Sequence, residues 1–157
     1  MTVRVLIADD HGVLRAGLRA LLKTEPDFEV VGEASGGYQA LVLSASLKPD
    51  VVLMDISMPD LDGLEVTRQL AQQQLGVRVL LMTIHEDEAI FREAIRAGAA
   101  GYIVKRAVES ELINAIRSTA AGDMYVHPTL ARALLNEIVR PSAVSKTPAD
   151  LTPRERE

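Results

Sequence analysis

Cysteine and tryptophan are absent from the 157-residue chain, and aromatic residues make up only 3% of it. The lack of cysteine excludes disulfide bonds and thiolate metal sites. Because rings are scarce, a core must be built from aliphatic residues, which the hydrophobic content of 48% allows. The length suits one domain with a modest tail.

The chain also lacks a long apolar run and an excess of positive charge. About six apolar residues precede Asp9 and Asp10, too few for a signal peptide or a membrane span, so we expect a cytoplasmic protein without a membrane partner. The net charge of −5 argues against a DNA-gripping surface in these residues. No G-x-G-x-x-G or G-x-x-x-x-G-K motif occurs, which disfavours a nucleotide-binding module.

Short apolar runs alternate with segments of helical periodicity along most of the chain. The runs predict five strands, which begin near Val3, Glu29, Val51, Val77 and Gly101. Strands that alternate with helices in this way form parallel sheets, because βα crossovers are short and right-handed. We therefore predict an α/β fold: a flavodoxin-like, doubly wound, five-stranded parallel sheet of the (βα)5 type, followed by an amphipathic helix and a linker.

Composition divides the chain into four predicted segments: a compact domain over 1–122, a C-terminal extension helix over 123–139, a linker over 140–150 and the start of a truncated second domain over 151–157. In the extension, Leu130, Leu134 and Ile138 share one helical face. In the last segment, Thr152 at a cap position and Pro153 after it are typical of a helix start.

Polar residues stand where the predicted strands end. Asp9 and Asp10 follow the first strand, Asp55 the third, Thr83 the fourth and Lys105 the fifth. The first and third strands are neighbours in the flavodoxin-like order, so three carboxylates should converge where ligands bind. Clustered anions repel unless a cation lies among them, and oxygen ligands without nearby His or Cys select Mg²⁺. Taken alone, the first two acids fit a helix N-cap pair equally well.

Phosphoryl transfer is the chemistry that suits these residues. A bound Mg²⁺ would neutralise charge on a phosphoryl group transferred to Asp55, and carboxylates are nucleophiles in aspartyl-phosphate chemistry. Thr83 would donate a hydrogen bond to one phosphoryl oxygen, and Lys105 would offer a positive charge to another.

This pattern closely resembles the receiver domain of bacterial response regulators over roughly residues 3 to 121. The matching positions are Asp9-Asp10, Asp55, Met58-Pro59-Asp60, Gly63, Thr83, Gly98-Ala99-Ala100-Gly101-Tyr102 and Lys105. The final seven residues are similar to the opening of the helix-turn-helix domain of the NarL/FixJ (LuxR-type) subfamily.

The resemblance implies a phosphoacceptor and its metal ligands. Asp55 would accept the phosphoryl group. Asp10, Asp55 and the backbone carbonyl of Ser57 would bind Mg²⁺ directly, and Asp9 would act largely through water.

The resemblance also implies a switch and partners. Thr83 and Lys105 would bind phosphate, with Thr83 drawn inward so that Tyr102 packs into the vacated space. A sensor histidine kinase would be the phosphoryl donor, and phosphorylation would favour a homodimer. DNA would be bound only through the missing C-terminal domain, and no enzyme activity is expected beyond self-phosphorylation from a phosphodonor and autodephosphorylation.

The sequence departs from the family pattern in two places. Arg106 follows Lys105 where many receivers have a proline after a cis peptide bond, and Ile84 with His85 follows Thr83 where smaller residues are common. His11 stands beside the acids, but a histidine at a helix start has an ordinary solvated explanation, so we do not assign it as a ligand.

A Mg²⁺-dependent aspartate-nucleophile phosphohydrolase is the alternative function. Such enzymes need a second carboxylate two residues after the nucleophile, as general acid for the leaving group. Ser57 occupies that place after Asp55, which disfavours turnover of external substrates.

Overall fold

The computed structural model describes residues 2–84 and 87–126. Six strands form one parallel sheet: β1 (Val3–Ala8), β2 (Phe28–Ala34), β3 (Val51–Asp55), β4 (Arg78–Thr83), β5 (Gly101–Val104) and β6 (Tyr125–Val126). Five helices flank it: α1 (Gly12–Leu22), α2 (Gly37–Leu47), α3 (Gly63–Gln73), α4 (Glu88–Ala97) and α5 (Val108–Ala120). The strand order β2-β1-β3-β4-β5-β6 confirms the flavodoxin-like fold.

The central strands are apolar because they are covered on both faces. Every residue of β3 is buried, as the unbroken apolar run predicts. On one face of the sheet, Leu18 and Leu22 of α1 pack with Leu112 and Ile116 of α5 in a single hydrophobic cluster. Helices α2, α3 and α4 pack side by side in chain order. This double cover leaves the carboxyl ends of the strands as the open edge.

Two of the helices begin at aspartate caps. The Asp62 side chain accepts a hydrogen bond from the Glu65 N–H at the start of α3, and Asp87 does the same for Ala89 at the start of α4. Helix α4 closes at Gly98, whose φ of 99° lies in the left-handed region. None of the helices in residues 2–84 and 87–126 has the length and apolar character needed to cross a membrane.

The structure has one strand more than the sequence predicts. The pair Tyr125–Val126 adds to the edge of β5 in parallel. Two residues are too few to show the alternation of polar and apolar side chains that predicts a strand. Their extended conformation is instead favoured by pairing with the unpaired edge of β5. Residues 123–126 of the predicted extension are therefore loop and strand. The rest of that extension, the linker, the 151–157 segment and His85 lie outside the described residues.

Candidate phosphoacceptor site

Three carboxylates meet at the carboxyl end of the sheet. Asp55 is the last residue of β3, and Asp9 and Asp10 directly follow β1. The two strands are neighbours, with Ala8 opposite Met54, so their ends are level. Asp9 and Asp55 are buried, while Asp10 is partly exposed. The structure thus brings together the three acids that the sequence places at strand ends.

Lys105 lies between two of these carboxylates. Its Nζ is 3.3 Å from Asp9 Oδ2 and 3.3 Å from Asp55 Oδ2. The backbone N–H of Ser57 donates a hydrogen bond of 3.2 Å to Asp55 Oδ1. Burial raises the pKa of Asp55 and the charge of Asp9 raises it further, whereas Lys105 and Ser57 lower it. One cation therefore faces more negative charge than it can balance.

Two carboxylate oxygens of the cluster lack a hydrogen bond. Asp10 Oδ1 and Asp55 Oδ2 are buried and accept none from the described residues. Such oxygens normally find a donor, a water or an ion. Ligand atoms of Asp9, Asp10, His11 and Asp55 lie within 4.8 Å of one another, so one ion can contact several of them. The donor set fits a divalent cation, and the carbonyl of Ser57 stays a predicted ligand.

The loop after Asp55 folds back against the end of β3. The Gly63 N–H donates a 2.8 Å hydrogen bond to the Ile56 carbonyl. A Cβ atom on Gly63 would lie 2.4 Å from the Asp55 carbonyl oxygen, so no other residue fits without a backbone shift. The close approach explains why a glycine stands eight positions after the acid.

The same loop is tied to α2 by Asp60. Its carboxylate accepts hydrogen bonds from the backbone N–H groups of Gly37, at 2.9 Å, and Tyr38, at 3.2 Å. These donors lower the pKa of Asp60. Asp60 therefore caps a neighbouring helix and takes no direct part in the acidic cluster.

Thr83 and Tyr102 are paired inside the domain. Thr83 ends β4 and Tyr102 lies in β5, and both are buried. The Tyr102 ring meets Phe91 of α4 edge-on, with centroids 5.4 Å apart. Burial raises the pKa of Tyr102, while a hydrogen bond with Thr83 lowers it. Tyr102 thus already occupies the interior, where the sequence argument brings it only on phosphorylation.

His11 contacts the acids while its side chain stays largely exposed, as the solvated interpretation expects. Its Nδ1 lies 3.0 Å from Asp9 Oδ1 and 3.2 Å from Asp10 Oδ1. Its backbone N–H also donates to Asp9 Oδ1, at 2.8 Å. A histidine nitrogen is therefore close to the acids, which the argument for Mg²⁺ from oxygen ligands alone did not include. Asp9 and Asp10 are also not the N-cap of α1, because His11 occupies that position and makes no side-chain cap bond.

Arg15 is a second contact that the sequence argument missed. Its guanidinium donates a 2.6 Å hydrogen bond to the backbone carbonyl of Asp9 and pairs with Glu33 of β2 at 3.3 Å. Arg19 also pairs with Glu33. Arg15 therefore links the loop that carries Asp9 to a neighbouring strand. The only available sequence signal is its place four residues after His11, on the first turn of α1.

Comparison with known protein families identifies the family of this chain. A family model described as the response regulator receiver domain matches residues 5–117. The chain belongs to this family. Its receiver core accounts for the strand order and for the strand-end positions of the acids, Thr83 and Lys105.

Relatives of this receiver are response regulators. The chain is 39% identical over 138 residues to the transcriptional regulatory protein DegU of Brevibacillus brevis, covering 88% of this chain and 58% of that protein. It is 37% identical over 153 residues to the response regulator UvrY of Escherichia coli K12, covering 98% of this chain and 70% of that protein. The chain thus spans between 58% and 70% of the length of these curated relatives.

A solved structure supports the same placement. A two-component response regulator of the LuxR family from Aurantimonas is 35% identical, with a TM-score of 0.82, over 88% of this chain and 99% of that chain. The receiver is therefore similar to those of LuxR-type regulators, as the resemblance implies.

The two departures from the family pattern can now be located. No peptide bond between described residues is cis, so the Lys105–Arg106 bond of this receiver is trans. Ile84 is exposed just beyond Thr83. The three acids, Thr83 and Lys105 at the strand ends are buried or partly buried, whereas Ile84 and Arg106 are exposed.

Proposed function

We propose that this receiver accepts a phosphoryl group on Asp55 and passes the signal to an attached DNA-binding domain. The observation that carries the proposal is the buried Asp55 Oδ2, which lies 3.3 Å from Lys105 Nζ and accepts no hydrogen bond from the described residues. An oxygen held in this way is available as a nucleophile, and the cation beside it opposes the effect of burial on its charge.

The transfer forms a bond between an Asp55 oxygen and phosphorus and breaks the bond from phosphorus to the donor, whose leaving group keeps the electron pair. Mg²⁺ bound by Asp10, Asp55 and the Ser57 carbonyl, with Asp9 acting through water, would neutralise charge on the phosphoryl oxygens. Lys105 would pair with a second oxygen.

Thr83 and Tyr102 would provide the readout. A phosphoryl oxygen on Asp55 would compete with Tyr102 for the Thr83 hydroxyl, whose hydrogen bond lies within the buried pair. Because Tyr102 is already inside and packed on Phe91, phosphorylation would change the hydrogen bonding of an inward Tyr102 rather than bring its ring inward.

The partners follow from the family and from the lengths of the relatives. A sensor histidine kinase would supply the phosphoryl group, and the phosphorylated protein would form a homodimer. DNA would be bound by a domain that is absent from the chain, since relatives such as DegU are transcriptional regulators of greater length. A kinase donor and a DNA target would place the protein in the cytoplasm.

Mass spectrometry of the intact protein tests the proposal. Incubation with acetyl phosphate and Mg²⁺ should add one phosphate-sized increment, and omission of Mg²⁺ should abolish it. Asp55→Asn should prevent the gain, whereas Asp123→Asn, at an exposed aspartate in the turn after α5, should not. An increment that persists in Asp55→Asn would refute the assignment. Multiple-turnover hydrolysis of a phosphomonoester such as p-nitrophenyl phosphate would instead favour the phosphohydrolase.

A further inference from the structure

His11 faces two carboxylates with one ring nitrogen. Nδ1 is within hydrogen-bond distance of Asp9 Oδ1, at 3.0 Å, and lies 3.2 Å from Asp10 Oδ1. A single N–H can satisfy only the first of them, and Asp10 Oδ1 is indeed left buried without a hydrogen bond. The phosphoryl transfer proposed above has no use for this side chain, which is 64% exposed.

A second observation points to a ligand at the same place. Asp55 Oδ2 belongs to a side chain that is 3% exposed and faces the cluster. It accepts no hydrogen bond from the described residues, and Lys105 Nζ forms an ion pair with it at 3.3 Å. The ligand atoms of His11 and the three acids lie within 4.8 Å of one another. An ion that contacted Asp10 Oδ1 and Asp55 Oδ2 would therefore be within reach of Nδ1.

Whether His11 Nδ1 is a ligand affects which divalent ions the site prefers. Carboxylates and carbonyls suit Mg²⁺, whereas an imidazole adds affinity for first-row transition ions and little for Mg²⁺. A neutral imidazole can coordinate through Nδ1 while Nε2 carries the proton.

We propose that His11 Nδ1 is a metal ligand and makes this site bind Mn²⁺ and later first-row divalent ions in preference to Mg²⁺. The inference rests on the metal site of the proposed function, but it does not require that Asp55 be phosphorylated.

Two measurements on the full 157-residue chain test it. In calorimetric titrations, His11→Gln should weaken Mn²⁺ binding by about 10-fold or more, the range found when partners of a metal site are removed, and should change Mg²⁺ binding little. In pulsed electron paramagnetic resonance, Mn²⁺ bound to the wild type should show coupling to a ¹⁴N nucleus that is absent from His11→Gln.

The other two histidines of the chain are matched controls. His85→Gln and His127→Gln should keep both the nitrogen coupling and the Mn²⁺ affinity. Coupling that survives in His11→Gln, or disappears in His85→Gln, would overturn the assignment. An equal loss of Mg²⁺ and Mn²⁺ affinity in His11→Gln would also overturn it, because His11 would then only position the carboxylates.

The outcomes separate this inference from the proposed function. If Mn²⁺ binds without nitrogen coupling, the inference fails while the acidic metal site stands. If Asp55 takes no phosphoryl group in the mass experiment but the coupling is present, the proposed function fails while the His11 ligand stands.

Discussion

Replacing Asp55 with Asn should stabilise the protein when no divalent cation is present. The variant keeps an oxygen that can accept the Ser57 N–H but removes one of three negative charges. The carboxylate ligand atoms of the cluster lie within 4.8 Å of one another. Two unit charges 4.8 Å apart repel by ~3.5 kcal/mol at an effective dielectric constant of about 20.

The attraction of Asp55 to Lys105 acts in the opposite direction. At 3.3 Å and the same dielectric constant it contributes about 5 kcal/mol. Against it stand repulsions of ~3.5 kcal/mol from each of Asp9 and Asp10, which leaves the charged Asp55 unfavourable by about 2 kcal/mol. Loss of hydration adds to this, because Asp55 is only 2% exposed. We therefore expect Asp55→Asn to raise the free energy of unfolding by about 2 kcal/mol.

Urea unfolding followed by circular dichroism in EDTA measures this difference, and repeating it with Mg²⁺ should reverse its sign. At a hundredfold excess over the dissociation constant, Mg²⁺ should stabilise the wild type by about 2.7 kcal/mol, and a variant that lacks a ligand should lose most of that gain. Asp123→Asn should match the wild type in both buffers. An Asp55→Asn protein that is less stable than the wild type in EDTA would refute the reasoning, since the Lys105 attraction would then outweigh the repulsion.

Asp60→Asn should lower the Tm at neutral pH. Because the pKa of Asp60 is lowered on folding, the stabilisation is present above its unfolded value and is lost as pH falls through the folded value, so the two melting curves should converge in acid. Phe91→Ala should reduce the free energy of unfolding in urea by about 3–5 kcal/mol, whereas Tyr102→Phe, which loses only a hydroxyl, should reduce it by about 1 kcal/mol. Arg15→Met should weaken Mg²⁺ binding about 10-fold in calorimetry, while Arg19→Met, which shares Glu33 but has no bond to the Asp9 carbonyl, should leave it unchanged. Phosphorylation should tighten self-association by roughly 5- to 150-fold in sedimentation at matched concentrations, and identical dissociation constants would contradict this.

The strand-end residues can be predicted from the sequence because chain direction and burial determine where they lie. An apolar run such as Val51–Met54 must be an interior strand, and in a parallel sheet the residue after it falls on the edge where the other strands also end. Asp9 and Asp55 therefore lie on neighbouring strand ends, and Lys105 follows β5 on the same edge, from which its long side chain reaches both acids. A carboxylate pair with a lysine limits the chemistry.

The contacts from α1 could not be predicted in the same way. Whether His11 and Arg15 contact the site depends on their side-chain rotamers and on the angle between β1 and α1. Neither of these can be predicted from the spacing of residues in the sequence. Strand β6 could not be predicted for a different reason. Its two residues are extended because they pair with β5, which lies about twenty residues earlier in the chain. The spacing of residues in the sequence identifies those that the backbone brings together. The side chains that contact and position them can be identified only from the structure.

The register of the sheet places Asp55, Thr83 and Tyr102 on three successive strands. Asp55 pairs with Met82, so Thr83 lies one residue beyond the level of the acid on the adjacent strand. Thr83 in turn pairs with Val104, and Tyr102 lies two residues earlier on β5, opposite Leu81. Asp55, Thr83 and Tyr102 are all buried on adjacent strands, so water does not screen the effect of a charge added at Asp55 on the other two side chains. We therefore expect a movement of Thr83 toward a phosphoryl group on Asp55 to change the hydrogen bonding of Tyr102, whose ring packs on Phe91 of α4.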